Sequence, residues 1–212
     1  MPNTSSTRTK SKRRSGGKKG TPFERRICKE LSLWWTNGDR DDVFWRTATS
    51  GGRATQRAKT KRGTFGQEGD VQATDPIGQP LMDVFAIELK RGYQKTTIQD
   101  LFDYPVHNHP GTGKPMLSQM ELFIKQAKEA KVQGRTKAWM LIQQRDRRDA
   151  VLLFPKLQVF SRICISLAMN AKHYTTMIYT SHETKRRNII VVTTWNDFRN
   201  AVGPHHIHDL YR

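Results

Sequence analysis

Apolar positions along the chain recur first at helical spacing and then at strand spacing, and the switches between the two mark out the expected elements. Thr21 stands as a candidate N-cap, with Pro22 at the first helical position and Glu24 three residues after the cap. Phe23, Ile27, Leu31 and Trp34 or Trp35 then repeat every three or four residues, which predicts a helix ended by Asn37 and Gly38. A strand is expected over 43–49, a long glycine-rich loop over 50–69, and a hairpin over 70–90 in which "DVQATD" and "DVFAIELK" flank a turn at "PIGQP". A short helix near 96–103 precedes a second one, opened by Ser118 and Glu121 as a capping box and running to about Val132. The apolar runs "KAWMLIQ" and "AVLLF" read as strands around the charged turn "RDRRD". Beyond them "ICISLA", "YTTMIYT" and "NIIVVTTW" read as further strands, residues from Trp195 to about Val202 as a short helix, and "HHIH" at 205–208 as a tail.

One strand breaks its own pattern. Alternation over 83–90 sends Phe85, Ile87 and Leu89 to one face and Val84, Ala86, Glu88 and Lys90 to the other, so a carboxylate and an ammonium share a face of a strand expected inside the protein. Such a pair is costly to bury without partners. An ordinary ion pair at a solvated strand end is one account. The other starts from Asp70, at the head of the neighbouring strand, whose carboxylate can reach the same edge of the sheet. Two carboxylates with a backbone carbonyl and waters suit Mg²⁺, with Mn²⁺ as a substitute, and leave positions for a substrate phosphate. Lys90 would then orient or deprotonate water, or neutralise charge in the transition state. Asp83, of opposite parity to Glu88, reads as a strand-entry residue.

Charge narrows the partner. Among 212 residues, 37 are Lys or Arg against 19 Asp or Glu, a formal +18 that favours polyanions and above all nucleic acid. Residues 1–20 hold seven basic residues and no acid and read as a disordered basic arm. The loop over 50–69 carries Arg53, Arg57, Lys59, Lys61 and Arg62, and with Arg46 before it has the composition of a phosphate-binding segment. Arg91 and Lys95 extend the basic character past the Glu88 strand. Cys28 and Cys164, far apart and in apolar surroundings, read as buried small hydrophobes in a reducing compartment. No apolar stretch is long enough to span a membrane. "GTGK" at 111–114 lacks the length of a phosphate loop, so no nucleotide cofactor is expected, and "HNH" at 107–109 lacks the spacing of the nuclease motif of that name.

"GD" at 69–70 followed by "ELK" at 88–90 resembles the PD-(D/E)xK nuclease superfamily, and the order helix, strand, glycine-rich loop, hairpin, helix is similar to the archaeal-type Holliday junction resolvases and related phage endonucleases. Gly69 stands where the motif's name has proline. The resemblance spans roughly residues 20–155 and implies an α/β fold with a restriction-endonuclease-like core, a central mixed sheet flanked by helices. It implies a nuclease core at 21–155; composition sets off the basic arm at 1–20, and the C-terminal strands and short helix at 156–212, beyond the resemblance, are expected to pack on that core or to form a separate sheet layer. The implied catalytic set is Glu24, Asp70, Glu88, Lys90 and Ser50, with Asp70, Glu88 and Glu24 on the metal, although Glu24 serves equally as a helix cap and Ser50 as a plain loop former. Some superfamily members carry a glutamine in the following helix, which points to Gln99 beside DNA.

The expected activity is Mg²⁺-dependent endonucleolytic hydrolysis of DNA, with branched DNA as substrate and a homodimer to make paired cuts. Two rivals are a nicking or recombination endonuclease of other DNA structures and a basic DNA-binding protein without catalysis. The expected location is the cytoplasm or nucleoid, including the host cytoplasm for a phage-encoded chain.

Overall fold

The computed structural model describes residues 17–47, 69–103, 108–113 and 116–211. Strands β1 (Phe44–Arg46) and β2 (Val71–Ala73) pair antiparallel as a small ribbon. Strands β3 (Phe85–Arg91), β4 (Ala138–Gln144), β5 (Val151–Pro155), β6 (Tyr174–Thr180) and β7 (Arg187–Thr194) form one five-stranded sheet in the order β3-β4-β5-β7-β6. β3 and β4 run parallel, with Glu88 opposite Leu141 and Lys90 opposite Gln143, and every other pairing is antiparallel. The helices are α1 (Gly17–Trp35), α2 (Gln79–Val84), α3 (Gln119–Gly134), α4 (Ser161–Asn170), α5 (Trp195–Ala201) and α6 (His205–Tyr211). This is the expected α/β architecture, a mixed sheet with helices on both sides.

Period-two alternation divides the core between the two faces of the sheet. Phe85, Ile87, Leu89, Met140, Ile142, Leu152 and Phe154 pack with Phe23, Ile27 and Leu31 of α1, Ile163 and Leu167 of α4 and Phe198 of α5. On the other face Trp139, Leu141, Leu153 and Ile190 meet Met120, Phe123, Ile124 and Ala127 of α3. Glu88 and Lys90 therefore project toward the α3 side. The first helix is also held by indole hydrogen bonds: Trp34 donates to the Val202 carbonyl at 2.7 Å and Trp35 to the Ile77 carbonyl at 2.7 Å, while Trp195 donates to Glu30 at 2.6 Å. Cys28 and Cys164 are buried free thiols, as expected.

Several local expectations are corrected. The first helix begins at Gly17 and passes through Thr21 and Pro22, so Thr21 is not its cap and Glu24 is not a capping-box residue. Its other end is as read, with Asn37 at φ 54°, Gly38 at φ 95° and the Gly38 N–H returning to the Leu33 carbonyl at 2.6 Å. Residues 70–90 do not form a hairpin. β2 turns away to pair with β1, "PIGQP" becomes a 3-10 turn leading into α2, and Asp83 belongs to that helix, where it accepts from Gln79 at 2.7 Å. The helix expected near 96–103 is a single 3-10 turn, Ile98–Leu101.

"ICISLA" lies in α4, and its strand-like alternation comes from Ile165, which is 62% exposed while Ile163, Cys164 and Leu167 are buried at helical spacing. The segment 205–208 opens α6 and is not a loose tail. β6 and β7 extend the same sheet as β3, so residues after 156 do not build a separate layer.

Candidate active site

A glycine turn places the first carboxylate. Gly69 has φ +83°, and a Cβ there would sit 2.6 Å from the Ile87 carbonyl oxygen, so only a residue without a side chain lets the backbone lie this close to β3. Proline, confined to φ near −65°, does not fit this conformation, which accounts for the departure from the motif's name. Asp70 follows, its N–H donating to the Ile87 carbonyl at 2.8 Å and its Oδ2 accepting from the Leu89 N–H at 2.8 Å. Thr47 braces the turn from behind: its N–H donates to the Asp70 carbonyl at 3.1 Å and its hydroxyl to the Gly69 carbonyl at 3.0 Å. Asp70 is thus docked on the outer edge of β3 by backbone bonds, without a continuous strand pairing.

β3 supplies the next two groups. Glu88 and Lys90 form an ion pair on the α3 face, with side chains 12% and 16% exposed. The Lys90 ammonium also lies 5.6 Å from the centre of the Phe123 ring, which Tyr93 meets edge-on at 4.7 Å. Glu24, on the opposite sheet face, accepts from Arg46 Nε at 2.8 Å. That contact follows from anchoring α1 to β1 through Ser32, whose hydroxyl donates to the Cys28 carbonyl at 2.9 Å and accepts from the Phe44 N–H at 2.9 Å.

These groups feel one another. Burial, and then the negative charge of Glu88, push the Asp70 carboxyl up to about 7; Lys90 and the Leu89 N–H oppose the rise, and Glu24 adds a smaller push upward. Beneath them the Cys28 thiol is pushed up to about 12 by burial, with Glu24 and Asp70 adding to it, so it is an inert part of the floor.

The Asp70 shift fixes a sign for stability. An unfolded chain releases this proton near pH 4 and the folded one only near 7, so its contribution to stability falls as pH rises through that window and levels off above it. Denaturant titrations in chelator at pH 4.5 and 7.5 should show this loss in the wild type and its removal in Asp70→Asn, which keeps an acceptor for Leu89. Equal pH slopes in the two proteins would refute the assignment.

Of the residues singled out from sequence, Asp70, Glu88 and Lys90 meet at the edge of β3, while Glu24, paired with Arg46 on the opposite sheet face, reaches Asp70 only through its charge. Arg91 and Lys95 follow at the end of β3, where Arg91 pairs with Asp146 at 3.0 Å, and Gln99 is exposed on the 3-10 turn. Ser50, Arg53, Arg57, Lys59, Lys61 and Arg62 lie outside the described residues. The expected grouping of Asp70, Glu88 and Glu24 on one ion is not found: among the described residues no three His, Cys, Asp or Glu side chains are placed to hold a metal together. Glu24 is drawn instead toward Arg46.

The remaining pair still fits a hard divalent cation. Two nearby carboxylates, one of which resists ionisation because it is buried and then because of the other's charge, are relieved by a cation, and Mg²⁺ commonly takes only one or two carboxylates, filling its shell with water and phosphate.

Sequence reasoning missed Phe123 as the ring under Lys90, Cys28 as the floor, and Gln143, the buried register partner of Lys90, whose amide donates to the Thr96 carbonyl at 3.1 Å. The N-cap legible at Ser118, whose hydroxyl accepts from the Glu121 N–H, fixes the phase of α3 and could have placed Phe123 on its inner face; the expected capping box is only half made, since the Glu121 carboxylate accepts from Ser181 and His182. Nothing in the sequence indicated the pairing of β3 with β4.

No curated protein and no solved structure matches the chain. A family model described as "Phage putative PDDEXK endonuclease" matches residues 15–209, which takes in the site and the C-terminal strands alike. With nearly the whole length covered and an acid, an acid and a lysine gathered at the edge of β3, the chain belongs to this phage family of the PD-(D/E)xK nuclease superfamily.

Proposed function

We propose that the protein is a divalent-metal-dependent endonuclease that hydrolyses phosphodiester bonds of branched DNA. The observation that carries this reading is the docking of Asp70 on the Leu89 N–H, within electrostatic reach of Glu88 and Lys90. Asp70 and Glu88 would hold Mg²⁺ or Mn²⁺. When bound there, the ion supplies polarisation of the phosphate and acidification of the attacking water.

The chain's own groups do the rest. Lys90, steadied by Glu88 and by the Phe123 ring, presents its ammonium to the reacting phosphate, where it orients water or offsets the developing negative charge. Glu24 holds Arg46 by a 2.8 Å bond and so aims a guanidinium at a neighbouring phosphate. The formal charge of +18 supports a polyanionic substrate, and branched DNA follows from the resemblance to junction-cutting enzymes. Paired cuts would need two chains in fixed relation.

The test is a panel of four-way junction, flap, nicked duplex, linear duplex and single strand, incubated with Mg²⁺, with Mn²⁺ and with EDTA. Cleavage in both metals and none in EDTA, fastest on the junction, is the expected result. Equal rates on all substrates would remove the branched specificity, and absence of cleavage throughout would leave a DNA-binding protein.

A further inference from the structure

β3 and β4 run parallel and end side by side, so whatever follows them shares the end of the sheet that carries Lys90. Arg145 is two residues beyond Gln143, the register partner of Lys90, a backbone distance of about 7 Å. At about 3.4 Å of duplex axis per phosphate on each strand, that is roughly two phosphates. The turn from β4 to β5 holds Arg145, Arg147 and Arg148 there, and it is braced from several sides.

Arg91 donates to the Arg145 carbonyl at 3.2 Å and pairs with Asp146 at 3.0 Å. The Asp146 N–H donates to Gln94 Oε1 at 3.0 Å. Gln144 donates to the Arg148 carbonyl at 2.7 Å and accepts from Arg26 of α1 at 2.7 Å. Arg147 is held at φ 59°, a left-handed conformation that fixes the tip of the turn.

The backbone of this turn is thus tied down, yet among the described residues no ion pair engages the side chains of Arg145, Arg147 or Arg148. Most other cations near the site are committed: Arg46 to Glu24, Lys90 to Glu88 and Arg91 to Asp146. Arginines outside any ion pair among the described residues, on a backbone that need not be ordered on binding, suit phosphate oxygens.

We propose that the β4–β5 turn, with Arg145, Arg147 and Arg148, is a phosphate-gripping rim that holds the DNA backbone about two phosphates from the bond to be cut. This rests on the reading of the Asp70, Glu88 and Lys90 site as a DNA-cleaving one.

The molecule carries its own control. Lys185, Arg186 and Arg187 are also exposed and outside any ion pair among the described residues. Because β5 runs antiparallel to β4 and β7 antiparallel to β5, they fall at the opposite end of the sheet. Changing either trio to glutamine alters net charge equally, so a difference between the two variants reports position alone.

Affinity for a fluorescent four-way junction should be measured with full-length protein across a salt series, in EDTA, for wild type, for R145Q/R147Q/R148Q and for K185Q/R186Q/R187Q. Losing three phosphate contacts should flatten the slope of log affinity against log salt by about 2 to 3 and weaken binding at least about tenfold near 100 mM salt. The distal variant should change the slope by less than about 0.5, and R145K/R147K/R148K should keep the wild-type slope. Equal slopes for both glutamine trios would overturn the rim while leaving the nuclease reading intact. Failure of the wild-type chain to bind DNA at all would overturn both.

Discussion

Replacing Glu88 with glutamine should reduce metal-dependent DNA cleavage by at least about a thousandfold while leaving DNA affinity unchanged or higher. The substitution keeps shape and removes one charge, so it separates chemistry from folding. Charge stabilisation at a metal site is worth several kcal/mol, and each 1.36 kcal/mol is a factor of ten in rate. Two neighbours respond in ways that can be read independently. Lys90 loses its ionic partner, and the Asp70 carboxyl, relieved of a negative neighbour, falls toward the ordinary carboxylate range. Affinity holds or improves because an anion facing a polyanion has been removed. Single-turnover cleavage alongside equilibrium binding measures both, and a variant that cuts within about threefold of wild type would end the proposed mechanism.

The Gly69→Ala variant should lose both stability and activity, although it adds only a methyl group. At φ +83° an alanine is strained by about 1 to 2 kcal/mol, and its Cβ would stand 2.6 Å from the Ile87 carbonyl, a backbone atom that cannot rotate away. A total of about 2 to 4 kcal/mol corresponds to a melting point lower by roughly 5 to 15 °C in a chain of this size. Relief comes only by moving the turn off β3, which pulls Asp70 from the Leu89 N–H. A displacement of about 1 Å at a reacting group costs on the order of a hundredfold in rate. Thermal melts and cleavage assays on the same preparation check the pair, and a variant that melts and cuts like wild type would show that the close approach is not required.

The parity of "FAIELK" was enough to put Glu88 and Lys90 together opposite Ile87 and Leu89, because alternation is a local property of strands, whereas Val84, read on the Glu88 face, is helical and packs with Ile87 and Leu89. The strands "KAWMLIQ", "AVLLF" and "NIIVVTTW" were legible as apolar runs, while the mixed character of the sheet was implied by the resemblance. Long-range choices were not. That β2 pairs with β1 while Asp70 alone reaches β3 depends on Gly69 turning the chain at positive φ, which a glycine permits but does not announce. The helix at Ser161–Asn170 was hidden by an exposed Ile165, a residue that mimics strand alternation where helical burial falls on its neighbours. Phe123 and the arginine turn escaped because their relation to Lys90 arises from the parallel pairing of β3 with β4, across more than 45 residues of intervening chain.

Two of the three indole bonds that fasten the first helix run to the far end of the polypeptide, with Trp34 on Val202 and Trp195 on Glu30. The helix that carries Glu24 is therefore tied to the C-terminal segment. Breaking the Trp34 and Trp195 bonds would free the helix that carries Glu24 from the C-terminal segment.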